Sequence, residues 1–223
     1  TCLPGGRTNV YCKLLGIPAD IVDATEHLLG LADRWAVRTV DVGRVNGRYF
    51  AFSAGVGIDA TVVARVDAHP RLKARFGANY FLATAVASFA GRFLIRPPRL
   101  EVSAGGETLA GVTAVVQNGQ HYTFFNDRPV SAAVGEALDS GNLAGLVLGR
   151  ANAIDIPTIL IRALSPRLRL VDHRRVRSFG PCAELTLRSA DGRGLPLQVD
   201  GDYLGDVTEA RFDVVPAALR VVS

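Results

Sequence analysis

The chain has 223 residues, of which 48% are hydrophobic and 21% charged, and its formal net charge is +4 at pH 7. These values are typical of a globular protein with a sizeable core, and the weak charge without interleaved aromatic residues argues against a nucleic-acid binder. No apolar run reaches the roughly 18 residues of a membrane-spanning helix, and the chain does not open on a signal-peptide pattern.

The three cysteines, Cys2, Cys12 and Cys182, are odd in number and far apart in the chain. This pattern indicates reduced thiols in a cytoplasmic protein, because a disulfide framework or a cysteine zinc site needs closer and even-numbered groups. The chain contains no methionine and begins at Thr1, directly before a glycine-rich loop. We therefore expect that a further segment precedes Thr1 in the natural protein.

A glycine turn covers Leu3–Asn9, and a short helical turn is predicted after it over Val10–Leu15. Backbone N–H groups of such a loop can bind an anion, and the side chains of Arg7, Thr8 and Asn9 would add donors. The alternative is a plain connection between two elements. Farther on, the apolar spacing predicts an amphipathic helix over Asp20–Asp33.

The clearest hairpin covers Arg38–Gly55, where two strands meet at Asn46-Gly47, a pair typical of a type I′ turn. Asp59 follows the glycine-rich end of the return strand, and without other information it is predicted to cap the next helix. A longer helix is predicted over Leu72–Phe93, with a broad apolar face that packs in the core or contacts an apolar ligand.

From Arg99 onward, short apolar stretches alternate with turn residues at the spacing typical of an antiparallel β-sandwich. One stretch, Arg167–Arg177, is rich in arginine. We interpret it as a solvated strand edge protected by charge, and contact with anionic lipid headgroups is the functional alternative.

Two carboxylates flank a glycine in the stretch Leu197–Gly205. The alternation up to Val199 predicts a strand, and Asp200-Gly201 predicts a tight turn before Asp202. Solvated turn acids are the simpler interpretation. The functional one is a catalytic pair, in which one acid takes a proton from a substrate hydroxyl and the other holds charge or a metal-bound phosphate.

Four blocks of sequence, in this order, resemble the diacylglycerol kinase catalytic family, and within it the soluble bacterial lipid kinases related to sphingosine and ceramide kinases. The blocks are Pro4–Asn9 with Leu15–Pro18, Val40–Phe50, Ala54–Ala60, and Val199–Asp202 with the tail from Pro216. Each block alone is common, but their order and spacing together are specific to the family.

The resemblance implies an α+β protein: a mainly antiparallel β-sandwich domain with a few helices, plus the remnant of an N-terminal α/β nucleotide-binding domain. We expect the remnant to cover residues 1–36 and the β-sandwich lipid-substrate domain to cover residues 37–223. In an alternative division, the last strand returns to the first domain. Members transfer the γ-phosphoryl group of ATP, with Mg²⁺, to a lipid hydroxyl. The family's main nucleotide loop would precede Thr1, so the 223 residues alone are expected to be inactive.

Carried over residue by residue, the resemblance assigns Gly5, Gly6, Arg7, Thr8 and Asn9 to a nucleotide-contacting loop. Asp200 matches the candidate catalytic base, and Asp202 stands where the family has glutamate. Asp59 matches an acid that faces the polar head of the substrate in the sphingoid kinases.

The sequence departs from the family at Arg7, at Val10, at Thr123–Phe125 and at Asp139-Ser140-Gly141. The last of these lacks the second acid of a family magnesium turn, so no metal site is expected in the chain itself. The substrate is expected to be diacylglycerol at the inner membrane face, and homodimer formation stays open. A non-catalytic lipid-binding relative, a kinase of a sphingoid base or other long-chain alcohol, and a kinase of a soluble substrate are the alternatives.

Overall fold

The computed structural model describes residues 1–6, 8–32, 35, 37–88, 91, 97–125, 128–130, 137–150, 152, 154–165 and 167–223. The helices in these ranges are α1 (Val10–Leu14), α2 (Ile21–Gly30), α3 (Ile58–Asp67), α4 (Pro70–Ser88) and α5 (Asp155–Leu164). The first seven strands are β1 (Val37–Val45), β2 (Arg48–Phe50), β3 (Ser53–Val56), β4 (Leu100–Ala104), β5 (Glu107–Gly111), β6 (Thr113–Gln117) and β7 (Thr123–Phe125). The later strands are β8 (Arg128–Val130), β9 (Leu143–Leu148), β10 (Val176–Cys182), β11 (Glu184–Ser189), β12 (Leu195–Val199), β13 (Asp202–Val207) and β14 (Glu209–Val222).

Two large antiparallel sheets dominate the described residues. One has the strand order β2-β1-β14-β11-β4-β5, and the other has the order β10-β9-β6-β3-β12-β13. Strands β7 and β8 form a small ribbon of their own. The α+β class with mainly antiparallel strands, expected from the sequence, is therefore confirmed.

The main core lies between the inner faces of the two large sheets. Phe50 and Phe212 from the first sheet meet edge to face there, with ring centroids 6.3 Å apart, and pack with apolar residues of β3, β6, β9 and β12. A second cluster lies on the outer face of the second sheet, beneath α3, α4 and α5. The second sheet is thus covered on both faces, which is why β3, β6 and β9 are buried along their whole length.

Residues before β1 pack on one end of the first sheet. Cys12, Leu15 and Ile17 of the α1 region form a cluster with Val40 of β1 and Val221 of β14. The final residues of β14 pair with Val37–Val40 beyond a bulge between Val40 and Val42. The last strand therefore brings the end of the chain beside the residues that precede the first strand.

Two local predictions were wrong in part. The predicted helix over Leu72–Phe93 begins earlier, at Pro70, and is interrupted at Gly77, whose φ of 52° is non-helical; part of its predicted C-terminal end lies outside the described residues. The basic stretch Arg167–Arg177 was predicted to be a strand edge. Its first part instead forms a loop with a 3-10 turn over Leu170–Asp172, and the strand β10 begins only at Val176.

The three cysteines are free, and Cys12 and Cys182 are buried. None of the helices in the described ranges combines the length and apolar character that crossing a bilayer requires.

Candidate functional site

The Asp200-Gly201 turn forms as the sequence predicts. Asp200 has a φ of 48° and Gly201 a φ of 91°, and both values suit the tight turn between β12 and β13. An aspartate and a glycine tolerate these left-handed conformations, so the two residues at the turn satisfy its geometry without a bulky side chain.

The carboxylate of Asp200 is held by backbone groups of the bend between β2 and β3. Its Oδ2 accepts the N–H of Ala51 at 2.6 Å, and its Oδ1 accepts those of Phe52 at 3.0 Å and Ser53 at 3.1 Å. Burial raises the pKa of Asp200, the three N–H donors oppose that rise, and the charge of Asp202 adds to it. Asp200 therefore fixes the position of the bend relative to the turn.

Asn118 supports the same bend from another strand end. Its Nδ2 donates to the carbonyl oxygens of Asp41 and Ala51, each at 3.0 Å, and its backbone N–H donates to Phe52 at 2.8 Å. The Asn118 side chain is buried, and its Oδ1 has no hydrogen-bond partner among the described residues. The sequence analysis assigned no role to Asn118.

Asp202, by contrast, is exposed at the first position of β13. Its carboxylate has no hydrogen-bond or ion-pair partner within the described ranges. The turn thus separates one carboxylate that is engaged by the backbone from one that is open to solvent.

Asp59 lies in the first turn of α3 but does not cap it, contrary to the prediction. The cap position is Gly57, and no side chain bonds there. The Asp59 Oδ1 instead accepts the phenol of Tyr122, and its Oδ2 accepts Nε2 of Gln198 at 2.6 Å. Burial raises the pKa of Asp59, against the effect of both donors, so the site holds a carboxyl group that is costly to ionise.

Gln198 connects Asp59 to the turn. While its Nε2 donates to Asp59, its Oε1 accepts the N–H of Gly201 at 2.9 Å. Gln198 is 2% exposed, although strand alternation between two apolar neighbours predicts an outward-facing polar side chain. No sequence pattern predicts this role, because both partners of Gln198 are brought to it only by the folded arrangement.

An apolar cavity of about 190 Å³ opens beside Asp59. Its walls come from α3, α4, α5 and the outer face of the second sheet, and its lining residues are Ile58, Asp59, Val62, Phe81, Ala85, Val86, Thr113, Val115, Leu148, Ile156, Ile159 and Leu160. Among these residues Asp59 carries the one ionisable group. The broad apolar face predicted for the fourth helix thus contributes to a cavity through Phe81, Ala85 and Val86.

The predicted nucleotide loop lies before α1. Gly6 donates its N–H to Oδ1 of Asn9 at 2.8 Å, and Asn9 has a φ of 47°, while Gly5 is open to solvent and Thr8 is half-buried. Arg7 falls outside the described residues. Since α1 has only five residues, its dipole contributes little, and the loop would act mainly through its N–H groups.

The start of α1 is within electrostatic range of the turn. Burial raises the pKa of the Tyr11 phenol, and the charge of Asp200 contributes to the rise. Two residues later Lys13 places its Nζ 4.8 Å from the ring centroid of Phe124, in the segment that also carries Tyr122. Helix α1 therefore contacts the segment whose Tyr122 donates to Asp59.

The Asp139-Ser140-Gly141 turn is held by a buried acid from β1. Asp41 accepts the N–H of Gly141 at 2.6 Å through Oδ2 and that of Ala217 at 2.8 Å through Oδ1. Across the described ranges, no three His, Cys, Asp or Glu side chains cluster in a way that could hold a metal ion.

Comparison with known proteins supports the family resemblance. No protein-family model matches the chain. It is 30% identical over 111 residues to the diacylglycerol kinase of Bacillus subtilis (strain 168), an alignment that covers 49% of this chain and 33% of that protein. The chain thus spans about a third of the length of this curated relative.

Solved structures share the fold. A diacylglycerol kinase structure from Bacillus anthracis str. Sterne superposes with a TM-score of 0.64 and 15% identity, over 99% of this chain and 65% of that one. Another diacylglycerol kinase-like structure from the same strain gives a TM-score of 0.71 and 18% identity, over 99% of this chain and 66% of the other. The chain therefore shares the fold of these bacterial diacylglycerol kinase-like proteins, and about half of its sequence is similar to the diacylglycerol kinase of Bacillus subtilis.

Proposed function

We propose that the natural protein is an ATP-dependent lipid kinase that phosphorylates a hydroxyl group, with diacylglycerol as its substrate. The observation that carries the proposal is the continuous connection from the apolar cavity to the acid turn. The cavity suits an acyl chain, Asp59 at its edge can bind a polar head, and Gln198 links Asp59 to the turn that bears Asp202.

Within this proposal the base is Asp202, although the family motif alone favours Asp200. Both oxygens of Asp200 already accept backbone N–H groups, so a proton on Asp200 would weaken the bonds that hold the bend. Asp202 is exposed, and its carboxylate is not engaged by the backbone. It would take the hydroxyl proton as the oxygen bonds to the γ-phosphorus and ADP leaves.

ATP would lie along Gly5, Gly6, Arg7, Thr8 and Asn9, whose backbone and side-chain donors suit phosphate oxygens. Kinases usually hold Mg²⁺ through substrate phosphates and one or two carboxylates. This mode does not need a three-acid cage. The metal would supply charge neutralisation for the transferred phosphoryl group.

The test is transfer of labelled phosphate from ATP to diacylglycerol, a sphingoid base and a long-chain alcohol in mixed micelles with magnesium, using the full-length protein. We expect transfer to diacylglycerol. Transfer to the sphingoid base alone would keep the lipid kinase and change its substrate, whereas no transfer to any lipid by a folded protein would overturn the proposal.

Two matched variants test the assignment of the base. Asp202→Asn should reduce turnover by about 10²- to 10⁴-fold with little change in the free energy of unfolding. Asp200→Asn should lower the free energy of unfolding by about 1–3 kcal/mol, because an amide cannot accept all three backbone N–H groups. Two results would assign the base to Asp200 instead. One is wild-type turnover in Asp202→Asn, and the other is a loss of turnover without a loss of stability in Asp200→Asn.

Lipid binding without phosphoryl transfer is the second candidate. It is favoured because the apolar cavity at Asp59 is formed, whereas the glycine loop is followed by a helix of only five residues, which contributes little to phosphate binding. Saturable binding of lipid with no transfer in the same assay would support it.

A further inference from the structure

Two cysteine thiols meet beside the glycine loop. The Sγ atoms of Cys2 and Cys12 lie 3.1 Å apart, although the two residues are ten positions apart in the chain. Cys12 is buried at the third position of α1, whereas Cys2 is half-buried and packs against the same apolar cluster. Cys182 lies on β10 and its thiol instead donates to the carbonyl oxygen of Leu143 at 3.7 Å. The chain therefore holds one pair of adjacent thiols and one thiol elsewhere.

The geometry of the pair suits a disulfide. A disulfide holds its two sulfur atoms at about 2.05 Å, so the Sγ atoms of Cys2 and Cys12 need to approach each other by only about 1 Å. The backbone fixes the Cys12 side of the pair, because the Cys12 carbonyl oxygen accepts the N–H of Leu15 at 3.1 Å and that of Ile17 at 2.9 Å. The approach would therefore come mainly from the segment that carries Cys2.

The two cysteines lie on either side of the proposed nucleotide loop, Gly5–Asn9. In the structure the N–H of Gly6 donates to Oδ1 of Asn9 at 2.8 Å. A phosphate oxygen can bind this N–H only after the Asn9 side chain releases it. A bond between Cys2 and Cys12 would fix both ends of the loop and restrict that rearrangement.

We propose that Cys2 and Cys12 form a reversible disulfide when they meet a peroxide, and that this bond closes the glycine loop and lowers its affinity for ATP. The inference rests on the proposed lipid kinase function and assigns a regulation to the nucleotide loop of that function. The cysteine pattern indicates a reducing compartment, where disulfides are usually transient and sense the redox state.

The oxidation consumes one peroxide molecule for each disulfide. The sulfur of Cys2, which is the more exposed of the two, takes one peroxide oxygen as the O–O bond breaks, and this yields a sulfenic acid and one water. The sulfur of Cys12 then bonds to the sulfur of Cys2, the S–O bond breaks, and the oxygen leaves with the Cys12 proton as a second water. The two thiols lose two electrons and the peroxide gains them. A small dithiol reverses the reaction by thiol–disulfide exchange.

The surroundings of Cys2 keep the pair reduced at low peroxide. Burial, and then the hydrogen bond and charge of Cys12, raise the pKa of Cys2 to about 12. Little of Cys2 is therefore thiolate at neutral pH, and its oxidation is slow. The disulfide should form only under a sustained rise in peroxide.

Peptide mapping of the full-length protein tests whether the disulfide forms. Trypsin cleaves after Arg7 and after Lys13. The two cysteines therefore leave on different peptides unless a disulfide joins them. After treatment with hydrogen peroxide and blocking of free thiols, we expect the joined peptide in the wild-type protein, its loss after dithiothreitol, and its absence in Cys2→Ser. Cys182→Ser is the matched control, because it removes one thiol and keeps the pair.

Equilibrium dialysis with Mg-ATP measures the effect on the loop. The oxidised wild-type protein should bind ATP at least about fivefold more weakly than the reduced protein, and dithiothreitol should restore the affinity. Cys2→Ser should bind ATP equally before and after peroxide, whereas Cys182→Ser should respond as the wild type does. Because coupling between two sites is reciprocal, excess Mg-ATP should shift the pair towards its thiols by the same factor in a dithiol–disulfide buffer.

Absence of the joined peptide from peroxide-treated wild-type protein would overturn the inference, and so would a joined peptide with equal or tighter ATP binding. An equal loss of ATP binding in Cys2→Ser would assign the effect to oxidation at another residue and would also overturn it. Failure of the kinase proposal gives a different result. The reduced wild-type protein would then bind no ATP or transfer no phosphate to lipid, and the regulation would be rejected together with the kinase function.

Discussion

The side chain of Gln198 donates a hydrogen bond to the carboxylate of Asp59 at 2.6 Å, although the two residues are 139 positions apart in the chain. The same amide accepts the N–H of Gly201. The acid beside the apolar cavity and the turn that carries Asp202 therefore keep a fixed separation, as a site that aligns a lipid hydroxyl with a base requires.

Gln198→Leu should lower the free energy of unfolding by about 1–3 kcal/mol, because the change leaves Asp59 and the Gly201 N–H each without one partner in a buried site. If the kinase proposal holds, turnover should also fall, by up to about 10²-fold, through misalignment. Denaturant unfolding and lipid phosphorylation measure the two effects. Gln198→Glu is the matched variant, since it keeps an acceptor for Gly201 but places a second carboxyl group beside Asp59.

Gly55→Ala should disturb the same network from the opposite side. A Cβ at Gly55 would lie 1.7 Å from Oδ2 of Asp59 and 2.8 Å from Nε2 of Gln198, so the carboxylate must move. We expect a loss of about 1–3 kcal/mol in the free energy of unfolding, typical of overpacking.

The control for this prediction is Gly30→Ala at the end of α2, where an added Cβ meets nothing within 4 Å. That change should be neutral or stabilise the protein by up to about 1 kcal/mol. Equal stability changes in the two variants would contradict the close packing of Asp59 against Gly55.

Local patterns predicted much of the fold, because they depend on neighbouring residues. The Asn46-Gly47 hairpin and the Asp200-Gly201 turn both need positive φ at adjacent positions, and both form. The buried polar residues of the site were missed. Gln198 alternates with apolar neighbours, a pattern typical of a solvent-facing strand residue, and its partner Asp59 is brought to it by tertiary contacts alone.

Asp155 should raise the free energy of unfolding near neutral pH, and this contribution should be lost in acid. Its hydrogen bonds with Arg174, and then with Asn152 and Arg175, lower the pKa of Asp155 from 3.8 to about 2. The folded state therefore binds this proton less readily than the unfolded chain does, and the contribution is complete above about pH 4. It should be lost as the pH falls through about 2.

The free energy of unfolding, measured between pH 5 and pH 2, tests this prediction. In Asp155→Asn this free energy should depend less on pH over the same range. The matched control is Asp139→Asn, which alters an exposed acid in the turn before β9. If the free energy of unfolding of Asp155→Asn changed with pH as strongly as that of the wild type, the ion-pair assignment would be contradicted.

Asp59 should show the opposite dependence on pH. Burial raises the pKa of Asp59 above its ordinary value of 3.8, so the folded state holds this proton more readily than the unfolded chain. The Asp59 contribution should therefore favour folding most at low pH and decline as the pH rises from 3.8 through the folded pKa. Because asparagine carries no charge at any of these values, the free energy of unfolding of Asp59→Asn, relative to wild type, should rise with pH over this window. Denaturant unfolding of both proteins across that range gives the difference directly, and a difference that falls with pH would mean that folding lowers the pKa of Asp59 instead of raising it.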